Sequence, residues 1–99
     1  MTLKQLYYFL KIAETRSFSE AARLLGISQP SLSYTIKQLE KEVPLPLFEK
    51  EEHGKRILLS ESGKIFYDYV VDALDNLEQG RKAMEEYASR FPAAKELNS

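Results

Sequence analysis

The chain has 99 residues, about the size of one domain, and it is 43% hydrophobic and 29% charged, as folded globular proteins usually are. It has no cysteine, which excludes a disulfide scaffold and a thiolate metal site. No apolar run reaches the roughly 18 residues of a membrane span. The N-terminus has no basic cluster followed by a small-residue cleavage site, so we expect no signal peptide. We therefore expect a cytoplasmic protein without a membrane partner.

The net charge of −1 is unusual for a nucleic-acid-binding protein, which commonly has a basic face. The charges are unevenly distributed, however. Residues 1–58 have nine basic and seven acidic side chains, whereas residues 59–99 have five basic and eight acidic ones. The first part is therefore +2 and the second −3, an asymmetry that leaves nucleic-acid binding open.

The first predicted helix covers about residues 3–15. Thr2 and Gln5 have the spacing of a capping box, in which each side chain satisfies the other residue's backbone N–H. Apolar residues then recur at helical spacing. These are Leu3, Leu6, Phe9, Leu10 and Ala13.

A second, shorter helix is predicted over about residues 18–25. Ser17 and Glu20 repeat the capping-box spacing. Gly26 is expected to end the helix, because glycine adopts the left-handed conformation without a Cβ penalty. The predicted buried face consists of Phe18, Ala21, Ala22, Leu24 and Leu25.

A third helix is predicted over about residues 29–42. Ser28 is a favourable N-cap, and Pro30 fits the first turn, where a missing N–H costs nothing. Pro44 and Pro46 are expected to stop the helix. One apolar stripe runs along it. The stripe consists of Leu32, Ile36, Leu39 and Val43.

Two short strands follow, over residues 47–50 and 56–59, with Gly54 in the turn between them. A helix from about residue 61 to residue 90 comes next, capped by Ser60, with Gly63 an unfavourable residue in its first turn. Its apolar residues are spaced alternately by four and three, which is a heptad repeat. The repeat consists of Phe66, Val70, Ala73, Leu77, Gly80, Met84, Tyr87 and Phe91. Such a helix is too long for one small domain to cover, so we expect a second copy to pair along it.

Two short helices joined by a glycine-containing turn are typical of a helix-turn-helix. With the apolar stripe facing inward, the second helix of the pair presents Gln29, Pro30, Ser33, Tyr34, Lys37, Gln38 and Lys41. Serine, glutamine and tyrosine can contact base edges or phosphates, and lysine neutralises phosphates. In this motif the N-terminal part of the second helix enters the major groove. The pattern therefore predicts a helix that reads DNA.

These motifs resemble a known family. The stretches SFSEAARLLGISQPSLSYTIKQLEKEV, PLFEK and LLSESG look like the N-terminal domain of LysR-type transcriptional regulators, over about residues 1–90. The resemblance implies a mainly α, winged helix-turn-helix fold with a small β-hairpin wing and a long C-terminal dimerisation (linker) helix. It implies a winged domain at residues 1–59 and a linker helix at 60–91. It also implies that the hairpin lies near the minor groove. We expect residues 92–99 to form a disordered tail, because chain termini are often poorly ordered.

The predicted function is sequence-specific binding of an approximately two-fold double-stranded DNA operator by a homodimer. The predicted DNA-contacting residues are Gln29, Pro30, Ser31, Ser33, Tyr34, Lys37, Gln38, Lys41, Lys50, His53 and Lys55. The lysines would mainly contact phosphates, and Gln29, Ser33 and Tyr34 would discriminate between bases. Three departures from the family pattern stand out. Tyr34 occupies a position that is often arginine, Val43-Pro44 replaces a usual Leu-Gly, and glutamates surround the cations of the wing.

Other interpretations remain open at this stage. The third helix could be a solvated surface helix, Tyr34 could cover apolar neighbours, and His53 could simply face solvent. The chain could also be a protein-interaction and dimerisation module that does not read DNA. We expect no catalysis, because no phosphate-binding glycine loop and no HExxH or CxxC motif is present, and we expect no cofactor or metal. The effector-binding domain of the resembling family is missing here, so no small-molecule ligand is expected.

Overall fold

The computed structural model describes residues 1–51, 54 and 56–91. Its elements are the helices α1 (Leu3–Thr15), α2 (Phe18–Leu25) and α3 (Gln29–Glu40), the strands β1 (Phe48–Lys50) and β2 (Ile57–Leu59), and the helix α4 (Glu61–Arg90). This order confirms the predicted mainly α, winged helix-turn-helix architecture. The predicted tail at residues 92–99 lies outside the described part of the chain.

Side-chain caps begin the first two helices at the predicted residues. The Gln5 backbone N–H donates to Thr2 Oγ1 at 3.1 Å, and the Thr2 N–H donates to Gln5 Oε1 at 2.9 Å. At α2 the Glu20 N–H donates to Ser17 Oγ at 3.1 Å. The Glu20 carboxylate accepts from the Arg23 guanidinium, so this helix has an N-cap and an ion pair where the spacing predicted a complete capping box.

The turn after α2 brings the second and third helices together. Gly26 has a φ of 70°, the left-handed conformation that glycine adopts easily, and the Ile27 N–H donates to the Ala22 carbonyl at 3.0 Å. Ala21 and Ala22 are buried, and their small side chains allow the helices to approach closely. The prediction for Leu24 was wrong, because this side chain is 52% exposed. At about 100° per residue, Leu24 lies on the side of α2 away from Ala22.

Helix α3 is shorter than predicted and ends at Glu40, not near residue 42. The Glu42 N–H donates to the Leu39 carbonyl at 2.9 Å in a tight turn, so Val43 lies outside the helix although it is still half-buried. Glu40 Oε2 accepts from the Leu47 N–H at 3.1 Å. This bond holds the proline-containing loop against the end of the helix.

Aromatic contacts in the hydrophobic core join α1, α2, β1 and α4. The ring of Phe9 lies 5.4 Å from that of Phe48 and 5.5 Å from that of Phe66, and Phe18 lies 5.9 Å from Phe48. The largest fully buried side chains are Phe9, Ile12, Leu32, Ile36, Leu39 and Leu47. The first three helices, the wing and the start of α4 therefore form one packed unit.

The wing is an antiparallel hairpin in which Phe48 pairs with Leu59 and Lys50 pairs with Ile57. Each strand begins one residue later than predicted. The Ile57 N–H also donates to the carbonyl of Arg16 at 2.9 Å, and Arg16 has a left-handed φ of 58°. This bond fixes the wing to the turn between α1 and α2. The hairpin needs such an anchor because a two-stranded hairpin is marginally stable alone.

Gly63, which the sequence presents as an unfavourable residue, is required where α4 begins. A Cβ at this position would lie 2.0 Å from the carbonyl oxygen of Leu47. The loop is drawn close by two hydroxyl donors to the Pro46 carbonyl, Ser60 Oγ at 2.6 Å and Ser62 Oγ at 2.7 Å. Ser60 also caps the helix by accepting from the Gly63 N–H at 2.9 Å.

The C-terminal half of α4 extends away from the domain. The helix has 30 residues, which corresponds to roughly 45 Å, and the molecule measures 59 × 27 × 22 Å. Among the described helices, none is long and apolar enough to cross a membrane.

Candidate nucleic-acid interface

Helix α3 has two different faces. Leu32, Ile36 and Leu39 are at most 2% exposed and pack against the core. The predicted DNA-contacting residues on the helix and just after it that are exposed are Gln29, Pro30, Ser31, Tyr34, Lys37 and Lys41. Ser33 and Gln38 are partly buried at the two edges of this set. We call these eight residues the outward face.

The N-terminus of α3 is held in place by its own hydroxyl groups. Ser28 Oγ accepts from the Ser31 N–H at 3.2 Å and donates to Ser31 Oγ at 2.9 Å. Thr35 Oγ1 donates to the Ser31 carbonyl at 3.0 Å. Gln29 and Pro30 at this helix end are exposed, and the partial positive charge of the helix N-terminus favours phosphate.

The described part of the wing has two exposed cations. Lys50 is exposed in β1 between Glu49 and Glu51, which are also exposed. Arg56, which the predicted set omitted, is an exposed cation directly before β2, and its carbonyl accepts from the Glu51 N–H at 3.0 Å. The sequence could have indicated Arg56 as a candidate DNA contact, because it is a cation at the first position of the predicted second strand. The predicted contacts His53 and Lys55 lie outside the described residues.

Arg23, on the second helix, is an exposed cation with an internal partner. Its Nε donates to Glu20 Oε2 at 3.0 Å, and its Nη2 donates to Glu20 Oε1 at 2.5 Å. The hydrogen bond from Arg23 lowers the pKa of Glu20, and the same bond raises the pKa of Arg23. Both side chains of this pair are exposed, so the pair contributes little to stability.

The predicted dimerisation repeat divides into two parts. Phe66 is half-buried and Val70 is 3% exposed, because both pack on the domain's own core. The remaining members are exposed along one side of α4; we call them the distal seam. They are Ala73, Leu77, Gly80, Met84, Tyr87 and Phe91.

Three residues outside the predicted repeat change its outline. Leu74, one helical turn after Val70, is 7% exposed and belongs to the core. Ile65 and Tyr69 are 65% and 73% exposed, and at about 100° per residue they continue the distal seam towards the start of α4. The prediction left out Ile65 and Tyr69 because it required a strict four-three spacing. A helix that packs on a domain has a broader apolar surface than the seam of a coiled coil.

Ion pairs stabilise the exposed half of α4. Arg81 Nη2 donates to Glu78 Oε1 at 2.5 Å, the same guanidinium pairs with Glu85, and Arg90 Nη2 donates to Glu86 Oε1 at 2.6 Å. The hydrogen bond from Arg81 lowers the pKa of Glu78, and the Glu78 and Glu85 carboxylates raise the pKa of Arg81. In the part of the chain that the structure describes, no group of three or more potential metal ligands occurs.

Comparison with known proteins identifies the family. The sequence profile of the bacterial regulatory helix-turn-helix proteins of the lysR family matches residues 3–64. The chain belongs to this family. The curated relatives of this LysR family member include the transcriptional regulator BudR of Klebsiella aerogenes, 48% identical over 68 residues that cover 69% of this chain and 46% of BudR. A probable cat1 operon transcriptional activator of Acinetobacter lwoffii is 37% identical over 84% of this chain and 27% of its own length.

Solved structures show the same fold. A BenM DNA-binding domain in complex with catB site 1 DNA superimposes with a TM-score of 0.82 and 35% identity, covering 90% of this chain and 94% of that one. Vibrio fischeri DarR in complex with DNA superimposes with a TM-score of 0.78 and 30% identity, covering 90% of this chain and 30% of DarR. The chain spans less than half the length of the curated relatives named above. These relatives are regulators, which agrees with the expectation of a non-catalytic role.

Proposed function

We propose that this chain is the sequence-specific DNA-binding part of a LysR-type transcriptional regulator and that α3 enters the major groove. The observation that carries the proposal is the division of α3 into a fully buried stripe and an outward face of short polar, aromatic and cationic side chains. The structure of the BenM DNA-binding domain, which shares its fold with 90% of this chain, was solved in complex with DNA. A DNA-binding role also places the protein in the cytoplasm, where a bacterial genome lies.

The outward face has groups for two tasks. Gln29, Ser33 and Tyr34 lie in the first two turns of α3, the part of a helix-turn-helix that reaches base edges. Lys37 and Lys41 follow towards the end of the helix, where they would neutralise phosphates. On the wing, Lys50 would add a phosphate contact near the minor groove, with Glu49 and Glu51 weakening that grip. Affinity would then come mostly from α3 and specificity from its first half.

Two copies would bind one operator. The distal seam is apolar and has no counterpart in the described part of its own chain, so a second copy is the natural covering surface. A two-fold pair presents two α3 helices to half-sites roughly 34 Å apart, or a multiple of that distance, along approximately two-fold DNA. No small molecule and no cofactor is needed for this role.

The sizes of the side chains favour an antiparallel pair of α4 helices. About a two-fold axis between residues 78 and 79, Leu77 faces Gly80 and Met84 faces Ala73, so these two large side chains each meet a small one. A parallel pair would place Gly80 against Gly80 and Met84 against Met84, which leaves a void in one layer and crowding in another. Large-small alternation fills a helix interface without voids.

Removal of one cation from α3 tests the DNA-binding role. We expect Lys37→Ala to weaken binding to all duplexes, because Lys37 would contact phosphate. We also expect it to flatten the slope of log affinity against log salt by about one unit per half-site. Fluorescence anisotropy with a labelled duplex, titrated at several salt concentrations, measures both quantities. The duplex is obtained by selection from a random pool with the wild-type chain.

Lys82→Ala is the matched control, since Lys82 is an exposed cation on the distal half of α4. It removes the same charge but should leave the salt slope unchanged. Equal effects of the two substitutions would show that only the net charge matters and would contradict the role of α3. Absence of binding at low salt would instead support the alternative, a dimerisation module that does not read DNA.

A further inference from the structure

Tyr34 has an unusual position for a large aromatic residue. Its side chain is 65% exposed, and within the described residues its hydroxyl has no hydrogen-bond partner. Leu32 and Ile36, two residues before and after it, are fully buried on the opposite side of α3. The backbone at Tyr34 is therefore held rigidly while its ring projects directly away from the core.

The ring lies at the centre of the outward face. Pro30 is one turn earlier, and Lys37 and Gln38 are one turn later, so these side chains surround Tyr34 at helical spacing. Pro30 and the tyrosine ring form an apolar centre, whereas the surrounding groups are polar or charged. In binding interfaces, a polar rim of this kind surrounds an apolar residue and excludes water from its contact with the partner.

The chemistry of a phenol limits which base it can recognise. Arginine and lysine recognise guanine through O6 and N7, and asparagine and glutamine recognise adenine through N6 and N7, with two hydrogen bonds each in the favourable cases. A tyrosine has a single hydroxyl group and cannot form such a pair. Its large apolar ring surface matches the one apolar group in the major groove, the C5-methyl group of thymine.

We propose that Tyr34 reads a thymine in each half-site by packing its ring against the C5-methyl group. This inference rests on the proposed DNA-binding function and names the base that the site prefers. The ring loses little conformational entropy on binding, because only two side-chain torsions become fixed. The competing arrangement, in which the Tyr34 hydroxyl donates to a phosphate, would add affinity without preferring any base.

Deoxyuridine provides the test, because it differs from thymidine only by the missing methyl group. Each thymine of the duplex selected by the wild-type chain is replaced in turn, symmetrically in both half-sites or in one alone. We expect one position at which the wild-type chain loses about fourfold in affinity for one replacement and roughly 15-fold for two. Replacements elsewhere should have smaller effects.

Variants at position 34 assign the effect to the ring. Tyr34→Ala should bind the thymine and deoxyuridine duplexes equally at the critical position, because it has no ring to contact the methyl group. Tyr34→Phe should keep the wild-type preference, since it retains the ring and lacks only the hydroxyl. Tyr7→Ala is the control, because Tyr7 is 53% exposed on α1 and is not part of the outward face. It should behave as the wild type.

Several results would overturn the inference. A wild-type chain that binds its selected duplex specifically but tolerates deoxyuridine at every position does not read a methyl group through Tyr34. A Tyr34→Phe variant that loses as much affinity as Tyr34→Ala, with no change in preference, would assign the contact to the hydroxyl and a phosphate. If the random pool yields no enriched sequence and the chain does not bind DNA at low salt, the proposed function fails together with this inference.

Discussion

The two halves of α4 have one continuous apolar repeat but different surroundings. In the first half, Val70 of the repeat and Leu74 one turn after it are 3% and 7% exposed because the domain covers them. In the second half, Leu77 and Met84 are 55% and 71% exposed because the helix has passed beyond the domain. A heptad repeat thus indicates that a face is apolar but does not indicate what covers it. The length of the helix relative to the domain decides that.

The two halves are also held by different forces. The first half is fixed by the Ser60 cap, the hydroxyl donors to Pro46 and the close approach at Gly63. The second half has exposed ion pairs around Arg81, and such pairs contribute little individually. A helix of this kind is marginal without packing, so we expect its order to depend on the proposed partner.

The largest expected effect is on pairing, from a charge placed in the distal seam. Leu77→Asp would put two uncompensated carboxylates near the centre of an apolar interface, at a cost of about 4 kcal/mol, or roughly a thousandfold in the dimer dissociation constant. We expect a monomer at micromolar concentration in sedimentation velocity experiments. The winged domain itself should retain its thermal stability.

Gln79→Asp is the control, since Gln79 is exposed two residues away on another side of α4. It adds the same charge outside the seam and should leave the dimer intact. If Leu77→Asp remained dimeric, the seam would not be the interface. If both substitutions produced monomers, charge in general would be responsible and not the position.

A smaller effect, on folding, is expected in the first half. Gly63→Ala places a Cβ where the Leu47 carbonyl oxygen lies, and backbone must move to relieve the overlap. We expect a loss of about 3 kcal/mol in the free energy of unfolding, measured by urea denaturation with circular dichroism detection.

The matched substitution is Gly80→Ala, because a Cβ at Gly80 would meet no atom within 4 Å. In the Leu77→Asp monomer this change should raise helicity, since alanine is favoured over glycine by about 1 kcal/mol in a helix interior. If Gly80→Ala destabilised the protein as much as Gly63→Ala does, the two halves of α4 would not differ in their packing.

The sequence predicted the elements well because their signals are local. Caps at Thr2, Ser28 and Ser60, the left-handed Gly26 and the apolar spacing of each helix were sufficient to place the four helices within about two residues. These interactions span three or four residues and do not depend on distant parts of the chain.

The errors arose where a residue's role depends on a distant neighbour. Gly63 is favourable only because Leu47, sixteen residues earlier, passes close to it, and no local pattern shows that approach. The burial of Leu74 was not predicted, because the side of α4 that the domain contacts is determined by the tertiary fold. For the outward face, the sequence predicted the residue types and their side of the helix; six of the eight are exposed, and Ser33 and Gln38 are partly buried. Their contacts with bases remain predictions.

The smallest expected effect concerns the carboxylate that Arg81 holds in the second half. The hydrogen bond from Arg81 lowers the pKa of Glu78 from its ordinary value of 4.5, so the folded helix favours the ionised form. Its contribution to stability is therefore present above pH 4.5 and is lost as the pH falls through the lowered value. At a protein concentration low enough to dissociate the dimer, we expect Glu78→Gln to reduce helicity at pH 6 and to have no effect once the pH has fallen below the lowered pKa of Glu78, measured by circular dichroism at 222 nm. Since Glu78 is fully exposed, 1 M salt should also reduce the difference in helicity between the two proteins at pH 6.

A difference in helicity that persisted in acid would mean that Glu78 acts through its shape and not its charge. The second half of α4 would then depend less on a partner for its order than its exposure indicates.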